Sequence, residues 1–218
     1  MIYLNQVKLQ DSAERGVKRA MKLYIMRHGQ TNMNIEGKMQ GHIDCPLNET
    51  GRQQAREAGI LLRRHHLEFS KIITSHLDRT RETAELATGI PRSAYGTDDR
   101  IIELDYGDWD GKTYSEMGPA MMAFLQDPVH VSAPEGIEPL EHITERVGEF
   151  LTELRTKADE QDSILAVSHG VAIRAMFGWI LGLKRPGNEI WRMPIDNCAV
   201  FQCTLNEDGT YTVPEELR

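Results

Sequence analysis

Apolar positions follow two alternating rhythms along this chain. Leu23–Met26 and Ile164–Val167 are short uninterrupted runs, and Lys71–Thr74 has Ile72 and Ile73 at its centre; each reads as a strand buried on both faces. Between them the spacing turns helical. Asn48 suits the N-cap of a helix with Glu49 in its first turn and Ala55, Ala58, Leu61 and Leu62 on one face. Ser75-His76-Leu77-Asp78 opens a second helix that runs to about Gly89. Pro139 takes the first position of a third, whose core stripe is Leu140, Ile143, Val147, Phe150, Leu151 and Leu154. A fourth spans Val171 to about Leu181, before Pro186-Gly187 breaks the chain. Ile101–Leu104 is a further strand candidate. Ala199–Leu205 and Thr210–Val213 read as strands joined by an Asn206-Glu207-Asp208-Gly209 turn. Strands alternating with helices imply an α/β fold, a three-layer αβα sandwich around a mostly parallel central sheet.

The pattern lapses in two places. Residues 1–20 are mixed polar and basic and read as an extension, with Met21 a candidate start; a short amphipathic helix through Val7, Leu9 and Val17 is the alternative. Residues 112–137 carry Gly118, Pro119, Pro128, Pro134 and Gly136 around a short helix near Ala120–Leu125. An excursion of that length in a compact domain reads as a lid or specificity insertion. The chain is then a single domain over 21–218.

Composition narrows the function classes. At 218 residues and 40% hydrophobic, the chain can bury a sizeable core. A formal charge of −8 argues against nucleic acid as partner, while a local arginine cluster can still hold a small anion. The first twenty residues lack an apolar signal region, and Ala175–Leu183 is too short to cross a bilayer, so no membrane is expected. Three cysteines form no disulfide framework; Cys198 and Cys203 are expected on opposite sheet faces, and reduced thiols point to the cytoplasm. Monomer and homodimer are both compatible with the sequence.

Candidate chemistry sits at strand ends. Both apolar strands stop at a histidine followed by a glycine, Arg27-His28-Gly29 and Ser168-His169-Gly170. If the strands are neighbours, the histidines converge at the sheet's carboxyl edge, where open α/β sheets hold ligands. Arg27 supplies a cation there and Arg79 a second from a helix start. Guanidinium groups hold phosphate oxygens in pairs, and an imidazole nitrogen can attack phosphorus. Each residue has a plainer role open to it: Arg79 as an ion pair with Asp78 or Glu82, His169 as a satisfied core histidine, Glu103 as a solvated carboxylate with Asp105 the rival acid. His42, His65, His66, His76, His130 and His142 show no metal-ligand spacing, so no metal or other cofactor is expected.

In their order, these motifs resemble the histidine phosphatase superfamily, also called the phosphoglycerate mutase-like family. The similarity lies in Arg27-His28-Gly29-Gln30-Thr31 with Asn34; in Gln40-Gly41, Asp44, Pro46-Leu47, Gly51 and Gln54-Ala55; in Ser75, Leu77, Arg79-Thr80 and Thr83-Ala84; in Glu103 with Gly107, Trp109, Asp110 and Gly111; and in Ser168-His169-Gly170. Lys38 stands where the family has arginine. In Pro134-Glu135-Gly136-Ile137-Glu138-Pro139 an isoleucine interrupts the family's Pro-x-Gly-Glu-Ser and proline replaces the serine. The resemblance implies a phosphoglycerate mutase-like fold and a phosphomonoester hydrolase of small phosphorylated metabolites. It implies His28 as the nucleophile that becomes phosphohistidine, and Glu103 as general acid and base. Arg27, Arg79 and His169 would hold the phosphoryl oxygens, with Asn34, Gln40, Gly41 and Gly170 completing the phosphate pocket. The alternatives are a bisphosphoglycerate-dependent mutase and a non-catalytic module that binds phosphorylated ligands. Mutases carry a longer excursion with an arginine run. Lys112 is the only base between Gly111 and Pro134 here, so few cations are expected for a second anionic group, and hydrolysis is favoured. Trp109, Met117, Met121 and Met122 read as packing, or as an apolar wall beside the phosphate.

Overall fold

The computed structural model describes residues 20–159, 161–183 and 187–218; the expectations for the extension before residue 20, its Val7-Leu9-Val17 helix and the break at Pro186 lie outside the described residues. A six-stranded sheet forms the middle layer. Its strands are β1 (Lys22–Arg27), β2 (Lys71–Thr74), β3 (Gly96–Thr97), β4 (Ser163–Ser168), β5 (Val200–Thr204) and β6 (Glu215–Glu216), side by side in the order β3-β2-β4-β1-β5-β6. The first four in that order run parallel, and β5 and β6 close one edge antiparallel. The helices are α1 (Asn32–Ile35), α2 (Glu49–Arg64), α3 (Asp78–Thr88), α4 (Pro119–Gln126), α5 (Leu140–Lys157), α6 (Gly170–Ile180) and α7 (Asn188–Trp191).

Alternation along the central strands sends neighbouring side chains to opposite layers. Tyr24, Met26, Leu165 and Val167 pack against Ala55, Ala58 and Leu62 of α2 and Ala84 and Ala87 of α3. Leu23, Ile25, Ile164 and Ala166 face Val147, Phe150 and Leu151 of α5 and Ala172, Ile173 and Met176 of α6. Both layers are apolar, which is why these strands read as unbroken runs. Cys198 joins the first cluster and Cys203 the second, on opposite faces as expected. The Asn48 side chain accepts from Gly51 N at 2.8 Å and starts α2, and Gly89, at φ +73°, ends α3.

Two predicted strands are corrected. Asp99–Ile101 is a turn of 3-10 helix, and the chain continues irregularly through Leu104. Ile101, Ile102 and Leu104 are buried as the apolar pattern requires. Their main chain, however, is engaged by side chains rather than by a strand. Arg146 Nη1 donates to Arg100 O and Ile102 O, both at 2.8 Å, its Nη2 donates to Glu103 O at 2.9 Å, and Ser168 Oγ donates to Ile101 O at 2.7 Å. In Thr210–Val213 only a Leu205–Tyr211 bridge forms, and the strand that pairs with β5 comes later, at Glu215–Glu216. Tyr211 turns inward and donates its hydroxyl to Leu151 O at 2.9 Å. Pro214 has no N–H for a ladder.

The 112–137 excursion holds a 3-10 turn at Tyr114–Glu116, then α4. Met117, Met121, Phe124 and Ile137 pin it to the core. The loop after β1 lies directly on the first turn of α2, and a Cβ on Gly51 would collide with Gln30 O. Overpacking of this kind against main chain costs about 1–3 kcal/mol. Gly51→Ala is therefore expected to lower unfolding stability by that amount in urea titration; an unchanged midpoint would show that the two segments do not touch so closely.

Candidate active site

The site begins with strand register. β1 and β4 pair from Lys22↔Ser163 to Arg27↔Ser168, and the contact continues one residue on, where His28 N donates to Ser168 O at 3.0 Å. The His28 and His169 rings consequently lie with centroids 5.2 Å apart at the carboxyl edge of the sheet. The chain leaves β1 through Gly29, where a Cβ would stand 2.6 Å from Gly51 O.

His28 is fixed on every side but one. Asn197 Nδ2 donates to its carbonyl at 2.9 Å, and Gly29 N donates to Thr83 Oγ1 at 2.9 Å. Its Nδ1 lies 2.7 Å from Gly29 O. A carbonyl only accepts, so Nδ1 carries the proton and Nε2 keeps its lone pair. Burial first, then the Arg79 and Arg27 charges, hold this imidazole well below its ordinary pKa of 6.5. It is neutral.

Arg79 is fully buried and makes no ion pair with its sequence neighbours: Asp78 pairs with Arg92, and Glu82 with Arg52. Its Nη1 donates to Ile43 O at 2.6 Å, its Nη2 to Gly41 O at 2.7 Å, and its Nε to His169 Nδ1 at 3.2 Å. Because the arginine must donate, His169 accepts at Nδ1 and presents its Nε2 proton to Ser75 Oγ at 2.8 Å. His169 is held well below the ordinary imidazole pKa by burial first and by Arg79 next.

Glu103 reaches across to the start of α6. Its Oε1 accepts from Val171 N at 3.0 Å, Ala172 N at 3.1 Å and Leu104 N at 3.0 Å, so a remote carboxylate caps a helix that has no side-chain cap of its own. The rival Asp105 accepts from Gly107 N at 2.8 Å and does not line the cavity. The segment bearing Glu103 is clamped from behind. Arg146, which holds its carbonyls, also pairs with Glu138 at 2.7 Å, and Glu138 accepts from Asp105 N at 3.2 Å. Burial pushes the Glu138 carboxyl up, but the Arg146 hydrogen bond and charge outweigh it and leave the group below its ordinary value.

A cavity of about 200 Å³ opens over these groups. Arg27, His28, Asn34, Gln40, Gly41, Arg79, Glu103 and Gly170 all line it, as the sequence suggested. His169 does not: it is fully buried, with both ring nitrogens engaged. Tyr106, Tyr114 and Arg174 line the cavity and were not singled out in the sequence. Arg174 had one usable signal, its i,i+4 spacing from Gly170 on the same helix face. Of residues 112–137, only Tyr114 reaches the cavity; Met117, Met121, Met122 and Trp109 pack on the core instead of forming a wall beside it. No cluster of three or more His, Cys, Asp or Glu among the described residues could hold a metal ion.

The model of the histidine phosphatase superfamily (branch 1) matches residues 23–214. The chain belongs to that family. It is 32% identical over 191 residues to phosphoserine phosphatase 1 of Hydrogenobacter thermophilus, covering 86% of this chain and 88% of the relative. It is 30% identical to the protein named Probable phosphoglycerate mutase GpmB of Escherichia coli, with 86% of each covered. Among solved structures, YhfR of Bacillus stearothermophilus superposes with a TM-score of 0.78 at 33% identity, covering 89% of this chain and 95% of that one. A mycobacterial glucosyl-3-phosphoglycerate phosphatase, solved with VO3, superposes with a TM-score of 0.76 at 27% identity, covering 90% and 98%.

Protonating His28 removes its lone pair, so the acid limb that His28 imposes on kcat/KM is expected below pH 6.5, the ordinary imidazole value. Stability should change in the matching sense. The unfolded chain binds protons on both histidines near 6.5 and the folded chain only at lower pH, so stability falls as pH drops below about 6.5 and is level above it. Urea midpoints that rise on acidification would contradict this. Separately, Arg146→Met leaves the Glu138 carboxylate, only 7% exposed, without its cation. A loss of about 3–5 kcal/mol is expected in urea titration. A loss under about 1 kcal/mol, the range of an exposed pair, would mean that Arg146 is not the clamp.

Proposed function

We propose that the protein is a metal-independent phosphomonoesterase that transfers the phosphoryl group of a small phosphorylated metabolite to His28 and then to water. The observation that carries this is the tautomer of His28. With Nδ1–H committed to Gly29 O, the lone pair is left on Nε2 of a residue that lines the cavity, and burial keeps the ring unprotonated. In the first step Nε2 bonds to phosphorus as the ester P–O bond breaks. Glu103, beside the α6 N-terminus, gives its proton to the departing alcohol oxygen. In the second step Glu103 takes a proton from water as the water oxygen bonds to phosphorus and the P–N bond breaks, releasing phosphate and restoring His28.

Arg27 and Arg79 stabilise the equatorial oxygens, with Asn34, Gln40, Gly41 and the α6 N-terminus at Gly170 completing the cradle. We assign His169 to positioning rather than to direct oxygen contact: its Nδ1 orients the Arg79 guanidinium. The buried thiols of Cys198 and Cys203 are pushed up to about 12, which makes them inert; with Cys45 also a free thiol, the cysteines are in keeping with a reducing cytoplasmic setting.

Hydrolysis is favoured over mutase chemistry because the excursion contributes only Tyr114 to the cavity, and no cation. The wild-type chain is expected to accumulate an acid-labile, base-stable phosphoenzyme from p-nitrophenyl phosphate and to hydrolyse it fully in EDTA. His28→Ala should lose at least about 10⁴-fold in kcat, as expected when a nucleophile is removed. If wild type and His28→Ala behave alike, the protein is a binding module. Rapid interconversion of 3- and 2-phosphoglycerate primed by 2,3-bisphosphoglycerate would establish a mutase instead.

A further inference from the structure

The leaving-group side of the cavity holds a cation that phosphoryl transfer does not require. Arg174 lies one turn beyond Gly170 on α6. Its Nη1 donates to Gly170 O at 3.0 Å and its Nη2 to Met193 O at 2.8 Å, while its Nε is buried with no hydrogen-bond partner among the described residues. Two carbonyls from different segments thus fix the guanidinium plane without neutralising it, and it makes no ion pair among the described residues. The residue is half-buried, and an Nε shut away from water without a partner leaves it poised for an anion.

The position of this cation relative to the acid is well defined. A Cβ placed on Gly170 would stand 3.3 Å from Arg174 Nη1, 3.7 Å from Glu103 Oε2 and 3.7 Å from Arg27 Nε. One point above Gly170 therefore lies within reach of the leaving-group acid and of two arginines. Arg174 thus stands on the Glu103 side of the cavity, the side from which the departing alcohol is protonated. Tyr106 is buried there as a neutral donor, its phenol pushed well above the ordinary value by burial and then by Glu103. The sequence had suggested that a second anionic group would find few cations, and the excursion supplies none to the cavity; beyond Arg27 and Arg79 the cations lining it are Lys38, which pairs with Glu36 at 2.6 Å, and Arg174 of α6.

We propose that Arg174 is a specificity-determining residue that selects phosphomonoesters whose alcohol carries a carboxylate close to the ester oxygen. This rests on the phosphomonoesterase reading above. A planar carboxylate matches a guanidinium edge in pairs. A cavity of about 200 Å³ accommodates a phosphoryl group and a short acid together. The selected substrates are compact phospho-carboxylic acids.

The test uses two substrates that differ only at the carboxylate, 3-phosphoglycerate and glycerol 3-phosphate, with p-nitrophenyl phosphate as a reporter of chemistry. In the full wild-type chain, kcat/KM is expected to favour 3-phosphoglycerate by about 10–100-fold, the range of a charge-assisted contact. In Arg174→Met that ratio should fall to within about threefold of unity, and Arg174→Lys should recover part of it, a point charge being a poorer match than the planar fork. Equal use of both substrates by the wild type, or a ratio that Arg174→Met leaves in place, overturns the proposal while hydrolysis of p-nitrophenyl phosphate leaves the phosphatase intact. Loss of all three activities in the wild type overturns the phosphatase reading itself. A measurement free of any variant stands beside these: glycerate is expected to inhibit the wild type at concentrations at least about tenfold below those at which glycerol does. Equal inhibition by the two overturns the proposal.

Discussion

Everything at this site depends on the parallel pairing of β1 with β4. Side chains alternate with a period of two along a strand, so a slip of one residue would turn each of these runs inside out. The register is held because both faces are occupied, Leu23 and Ile25 beneath α5 and α6, Tyr24 and Met26 against α2 and α3. Only when Arg27 sits opposite Ser168 do the two histidines leave the sheet side by side. The geometry of the chemistry is thus a by-product of core packing, and the strongest apolar contacts in the molecule determine where a lone pair points.

Around that pairing, polar groups are buried in numbers that a core tolerates only when each finds a partner. Arg79 is satisfied by two loop carbonyls and by His169, and Glu103 by the amides of α6. The Arg146–Glu138 pair performs the same service one layer back, tying the irregular chain before Glu103 to α5. Such pre-set dipoles need no reorganisation when charge moves during a reaction, which is the physical basis of electrostatic catalysis in a dry site.

How much of this can be read from the residues alone depends on where each signal resides. The strands at Leu23 and Ile164 are legible because burial on both faces leaves an unbroken apolar run. Asn48 and Gly89 mark helix ends by local chemistry that needs no tertiary context. Ile101–Leu104 misleads because its side chains are buried like a strand's while its carbonyls are held by Arg146 and Ser168, residues far away in sequence. Thr210–Val213 misleads because the ladder that the preceding turn invites stops at the Leu205–Tyr211 bridge, just short of Pro214. Within the site, His28 and Glu103 follow from ordered motifs. His169 is found, but its engagement behind Arg79 is a tertiary fact. Arg174 is easily passed over: in Val171-Ala172-Ile173-Arg174 it reads as the one polar position of a buried helix, and its only local signal is the one-turn spacing from Gly170.

The hydrogen bond from Asn197 to the His28 carbonyl joins residues 169 positions apart. With β4 also needed to seat the histidines, the two ends of the chain must meet before any atom of the site is in place. Closure over such a span is slow relative to local helix formation. During synthesis, α2 and α3 can form while His28 is still without its neighbours, before the last quarter of the chain emerges. The imidazole gains its surroundings only when folding is complete, and a fragment that stops short of β4 carries the Arg27-His28-Gly29 motif without the site.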